Sequence, residues 1–194
     1  MKKNLERLTK FFYEVGTLRK LARSHRQTLL TDDLSDNIAS HSYRVTVISY
    51  FLAVEEKVDP NKVIKMALFH DVSEARSGDQ NWVHKKYVKV YEEEIMKDQL
   101  DGIVNDNEIF TVMEEYNKRE SKESKIAKDA DLLDQIYLLK EYEHRGNVEA
   151  KRWLKSNAQY KSIYSKTAKK IAELAMKSEP NVWWWNVWTD KRRK

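Results

Sequence analysis

Only 4 glycines and 2 prolines interrupt the 194 residues of this chain. A sheet-rich fold of that length needs many tight turns, and turns draw heavily on those two residue types. Charged residues make up 35% of the chain, with Lys and Glu interspersed, as on solvated helix faces. The expectation is all-α: long amphipathic helices joined by short connections. A chain of this size buries roughly two thirds of its unfolded surface, enough for one real core.

Apolar spacing of three and four residues places the helices. Residues 4 to 24 carry Leu5, Leu8, Phe11, Phe12, Val15, Leu18 and Leu21, with Gly16 a weak point. Residues 27 to 36 lack a period and read as a loop whose Ser35 or Asp36 caps the next helix, which contains His41 and runs to about Val54 or Glu55. Asp59-Pro60 is a start signal for a helix reaching His70. Further helices are expected over 82 to 100, 107 to 117, 121 to 143, 148 to 155 and 162 to 177, the last capped by Ser162 or Asn157, with a break at Asn105-Asp106-Asn107. Residues 1 to 180 form a single domain in this reading.

Residues 181 to 194 form a Trp-rich segment with Trp183, Trp184, Trp185 and Trp188. Such a density calls for burial, either on the domain itself or at a dimer contact. Lys191-Arg192-Arg193-Lys194 reads as a solvated end. No cysteine is present, so disulfides and thiolate ligands are excluded and any metal must be held by nitrogen and oxygen. The start MKKNLERLTK lacks the apolar block of a secretory signal, and no stretch approaches the ~20 apolar residues of a membrane span. A soluble cytoplasmic protein with no membrane partner is expected. The net charge of +5 is too evenly spread to predict nucleic-acid binding.

The functional signal is an ordered series: His41, then His70-Asp71, then Asp131. A His-Asp step alone is weak, since 13 Asp and 5 His in 194 residues produce one by chance in about one chain in three. Two neutral imidazoles and two carboxylates, however, balance one divalent ion and leave positions open for water and a phosphate oxygen. Glu74 lies one helical turn beyond His70, and Gly78 can take the positive φ that turns the chain so that Asp79 faces back. His70 and Asp71 point about 100° apart on a helix, so they share one ion only if it lies at the flank between them.

HDVSEARSGD, residues 70 to 79, resembles the HD-x-x-E-x-x-x-G-D segment of HD-domain phosphohydrolases, in particular the small 5′-deoxynucleotidase branch. Residues 36 to 45, DNIASHSYRV, resemble the family's E-S-[VI]-x-[DE]-H-[SM]-x-[RQ]-[VM] stretch, with Asn37 in place of Ser and Ser40 in place of an acid. Lys128-Asp129-Ala130-Asp131 resembles its K-x-[AL]-D segment. The acidic run Tyr91 to Met96 also has a counterpart. The similarity covers about residues 11 to 145. The branch's arginine ahead of the first histidine is present as Arg23, and its neighbouring tryptophan is missing.

The resemblance implies an HD-domain helical bundle with a metal site in an interior cleft, one divalent ion (Mn, Co, Fe or Zn) and a homodimer. It implies release of phosphate from a nucleotide, most directly the 5′-phosphate of a (deoxy)nucleoside monophosphate. Glu74 then positions or deprotonates water, and Asp79 protonates the leaving 5′-oxygen or fixes the sugar. Arg23 and Arg44 are candidates for the phosphate, or alternatively ordinary ion pairs. Asp129 is the rival of Asp131. His25 and His144 read as surface residues, and His84 as a solvated or supporting group unless a second, oxygenase-like metal is present. Triphosphate, cyclic-nucleotide or alarmone hydrolysis, and a non-catalytic nucleotide-binding module, stand as alternatives.

Overall fold

The computed structural model describes residues 2–103 and 106–187, so Asn105 of the expected break, Trp188 and the basic end at 191–194 lie outside the described residues. Helices α1 (Lys2–Val15), α2 (His25–Leu29), α3 (Ile38–Glu56), α4 (Pro60–Phe69), α5 (Glu74–Ser77), α6 (Trp82–Tyr87), α7 (Glu92–Leu100), α8 (Asp106–Lys118), α9 (Lys122–His144), α10 (Val148–Ser156), α11 (Ala158–Ser162), α12 (Lys166–Lys177) and α13 (Val182–Val187) follow in order. A 3-10 turn over Gly16–Lys20 links α1 to α2. The fold is all-α, and among the described residues the one non-helical pairing is a single bridge between Ala22 and Asn37.

α9 is the axis of the core, packed against α3, α4, α8, α10, α11 and α12. Its Ile126, Ala127, Ala130, Leu133, Ile136 and Leu139 are buried on several sides of the helix, as a helix surrounded by neighbours requires. Val45 and Leu52 of α3 and Val63, Met66 and Ala67 of α4 complete the centre. Small residues at Ala67, Ala127 and Ala130 keep side-chain bulk low where α4 and α9 meet. His41, His70-Asp71 and Asp131 therefore sit where α3, α4 and α9 pack on one another.

Local chemistry explains the boundaries. α3 begins at Asn37, whose side chain accepts the Ser40 amide at 3.0 Å while the Ser40 hydroxyl accepts the Asn37 amide at 3.2 Å. This reciprocal capping box uses the two positions that depart from the family-like pattern, so the swap of residue types preserves the cap. The cap is Asn37, not Ser35 or Asp36, because the Asp36 carbonyl is engaged by the Arg23 amide at 2.9 Å. Asp59 caps α4 through the Asn61 amide, with Pro60 in the first turn.

Several expected helices are divided. At Gly16 the first one tightens into the 3-10 turn, and residues 21 to 23 leave the helix to pair with 36 to 38. The loop expected from residue 27 starts later, because α2 runs through Leu29. The helix expected over 82 to 100 is two, split where Val88 adopts an extended backbone in the β-branched run Val88-Lys89-Val90. α12 is capped by Ser165, which accepts the Ala168 amide, and α11 precedes it. No helix of the described residues is long and apolar enough to cross a membrane. Trp183, Trp184 and Trp185 are 63%, 52% and 74% exposed, so these three rings do not pack over the core of the described residues.

Candidate metal centre

His41 sits one turn into α3, His70 caps the C-terminus of α4, Asp71 follows in the turn before α5, and Asp131 lies on α9. Between His70 and Glu74 the chain tightens into i to i+3 hydrogen bonds, Val72 to Phe69 and Glu74 to Asp71. The imidazole and carboxylate of the His-Asp pair thereby meet at the helix flank, with His70 Nε2 3.1 Å from Asp71 Oδ2. His41 Nε2 lies 3.3 Å from His70 Nε2, 3.4 Å from Asp71 Oδ2 and 3.3 Å from Asp131 Oδ1.

These distances fit a metal. Bonds of about 2.0–2.2 Å to nitrogen and oxygen put neighbouring donors on one ion about 3.0–3.5 Å apart. The protonation pattern fits as well. His41 Nδ1 donates to Asp134 Oδ2 at 2.6 Å and His70 Nδ1 donates to the Ala67 carbonyl at 2.7 Å. Each Nε2 then presents a lone pair to the other, an arrangement that needs positive charge between them.

In the absence of an ion, the surrounding carboxylates favour a proton on His41 as that positive charge. Burial and Arg23 oppose a charge on His41, but hydrogen bonds to Asp131 and Asp134 outweigh them and raise it to about 9. Burial would push Asp71 up, yet His70, His41 and Arg23 hold it well below the usual carboxylate range. Asp131, likewise buried, is held down chiefly by Lys128 and His41. Glu74 shows the opposite behaviour: burial, with Asp71 and Asp79 nearby, pushes it up to about 9. Its Oε2 is buried without a hydrogen-bond partner.

The cluster opens into a cleft of about 400 Å³ lined by Arg23, His25, Glu74, Asp79, Trp82, Tyr116, Arg119, Lys128 and Gln135. Gly78 has φ +71°, and Asp79 beyond it accepts the Ser24 amide at 2.6 Å and the Ser24 hydroxyl at 3.0 Å. Arg23, 8% exposed, lies between carboxylates, 3.3 Å from Asp79 and 3.6 Å from Asp71.

The structure overturns the surface reading of His25 and places Arg44 and Asp129 on one side of the alternatives that the sequence left open. Arg44 is not a cleft residue: it donates to Asp134 at 2.5 Å and to Glu141 at 2.6 Å, bordering a separate cavity of about 410 Å³ behind His41. Its charge is matched there, and it steadies the carboxylate that orients His41. His25 is not a surface residue: it lines the cleft, contacts Gln135 and Arg23 at 3.2 Å, and is lowered to about 4 by burial and Arg23. Asp129 accepts the amides of Tyr164 and Ser165 at 2.7 and 2.8 Å, so it anchors the entry to α12 and not an ion. His144 pairs with Glu179 at the surface, and His84 lies on a different cavity beside Arg26 and Leu30. Sequence reasoning missed Asp134, although it stands one turn after Asp131 on α9. It also missed Tyr116 and Arg119, for which no spacing signal exists.

The sequence model of the HD domain matches residues 17–176. A 5′-deoxynucleotidase HDDC2 of Dictyostelium discoideum is 30% identical over 124 residues, covering 57% of this chain and 65% of that protein, a little under two thirds of its length. The Mus musculus protein of the same name is 28% identical over 148 residues, 72% of each chain. A conserved hypothetical protein of Pyrococcus furiosus has a solved structure with TM-score 0.75 and 25% identity, covering 88% of this chain and 99% of that one. A structure from Magnetospirillum magnetotacticum described as a predicted metal-dependent phosphohydrolase has TM-score 0.67 at 21% identity over 90% and 91%, which shows the shared fold. On the extent of the family-model match, residues 17–176, the chain belongs to the HD-domain family.

Proposed function

We propose that this chain hydrolyses the 5′-phosphate of (deoxy)nucleoside monophosphates to nucleoside and inorganic phosphate, with one divalent ion held by His41, His70, Asp71 and Asp131. The observation that carries this reading is the convergence of His41, His70 and Asp71 donors within 3.4 Å of one another, with Asp131 Oδ1 3.3 Å from His41, at the floor of an open, polar cleft. The relatives named 5′-deoxynucleotidase support the choice of substrate. Mn²⁺, Co²⁺, Fe²⁺ and Zn²⁺ all suit such a donor set.

When bound, the ion supplies Lewis acidity toward a phosphoryl oxygen and a water. The residues of the chain do the rest. Glu74, with a free buried oxygen in the cleft, orients the attacking water and takes its proton. Burial, Asp71 and Asp79 hold Glu74 up at about 9; a cation held among those carboxylates would oppose that rise, in the direction a base working near neutral pH needs. The water oxygen bonds to phosphorus, the P–O5′ bond breaks, and the 5′-oxygen leaves with a proton. Asp79, fixed by Ser24 and Arg23, holds the sugar side. Trp82, 56% exposed and packed edge to face on Trp153, offers the base an aromatic surface at the rim of the cleft.

The test is phosphate release from a panel of nucleotides by metal-stripped protein reloaded separately with Mn²⁺, Co²⁺ or Mg²⁺. Monophosphates are expected to turn over, and Glu74→Gln to lower kcat by about 10²–10⁴-fold. Turnover of triphosphates or cyclic nucleotides alone, with every monophosphate inert, would transfer the assignment to those substrates.

A further inference from the structure

Three basic side chains beside the metal donors are already matched. Arg23 stands between Asp71 and Asp79, Lys128 bonds Asp131 at 2.5 Å, and Arg44 is turned away onto Asp134 and Glu141. Arg119 is different. It lines the same cleft as His70, Asp71, Glu74 and Asp131, and no carboxylate of the described residues lies within ion-pair distance of it. Its Nη1 is buried without a hydrogen-bond partner.

The guanidinium is nonetheless held in place. Its carbon lies 3.3 Å from the centroid of the Tyr116 ring. Tyr116 is 4% exposed and packs edge to face on His70, with centroids 5.8 Å apart. A half-buried cation stacked on an aromatic ring, with one unpartnered donor in the cleft that holds His70, Asp71 and Asp131, suits an oxyanion. The backbone is consistent with this use. Arg119 follows the last residue of α8 at φ +56°, a site where glycine is favoured. Leu30 and Lys57 share that conformation, so the side chain and not the φ value identifies the site.

We propose that Arg119 is a substrate-binding residue that takes a phosphate oxygen of the nucleotide, oriented by stacking on Tyr116. The proposal rests on the monophosphate reading for its substrate, and inorganic phosphate probes it separately. Phosphate binding to Mn²⁺-loaded protein is measured by calorimetry for the wild type, Arg119→Gln, Arg119→Lys and Arg119→Gly, with metal content and thermal midpoint for each.

The expected result is about ten- to a hundredfold weaker phosphate binding in Arg119→Gln, the usual worth of a charged hydrogen bond. Arg119→Lys should recover part of the loss. KM for the monophosphate should rise more than kcat falls, and metal content should stay unchanged. Arg119→Gly should lose the same affinity while its thermal midpoint holds or rises, which a merely structural arginine would not do. Unchanged phosphate affinity in Arg119→Gln, or no phosphate binding by the wild type, overturns the proposal. Arg119-dependent phosphate binding in a protein inert toward all monophosphates leaves Arg119 standing and removes the monophosphate reading instead.

Discussion

His41 does two jobs with one ring. Its Nδ1 proton is fixed by Asp134, itself clamped by Arg44, and this leaves Nε2 as the donor aimed at His70. That His41, His70 and Asp71 come together was legible because it depends on residue types in order. The clamp was not, because whether an arginine meets substrate or a neighbouring carboxylate depends on packing that spacing does not encode. Asp36 shows what burial costs nearby. Its Oδ2 is buried and unpartnered, and burial raises it from 3.8 to about 6. Between about pH 4 and 6 the folded protein therefore retains a proton that the unfolded chain has released, so stability falls as pH rises through that window. Asp36→Asn removes the penalty. It should stabilise the protein by about 1–3 kcal/mol at pH 7.5, with the gain shrinking toward zero at pH 4. Equal gains in thermal melts at both pH values would contradict this.

At the scale of elements, the start of α3 matters most, because the capping box at Asn37 and Ser40 sits directly before His41. Asn37→Ala should cost about 1 kcal/mol, a shift of about 2–4 °C for a chain of this size. It should also weaken metal binding, since the first turn of α3 carries the ligand. A calorimetric metal titration alongside the melt checks both, and an unchanged metal affinity would separate the cap from the site. Helix existence was legible from apolar spacing in α3, α4, α9 and α12. The breaks were less so. Gly16 and the Val88 to Val90 run weaken a helix without dictating where it ends. The exit from the 3-10 turn is settled by contacts with residues 36 to 38, such as the Arg23 amide on the Asp36 carbonyl.

For the whole molecule, packing of α3, α4 and α9 brings together ligands separated by as many as 90 residues in sequence. The tryptophans of α13 are exposed on the single chain, which leaves a dimer contact as the cover that their density suggests. The central claim concerns the cluster, and metal stoichiometry tests it most directly. Elemental analysis after Mn²⁺ loading and desalting should find one ion per chain in the wild type and essentially none in His41→Ala or His70→Ala. Equal metal in the variants and the wild type would contradict the account.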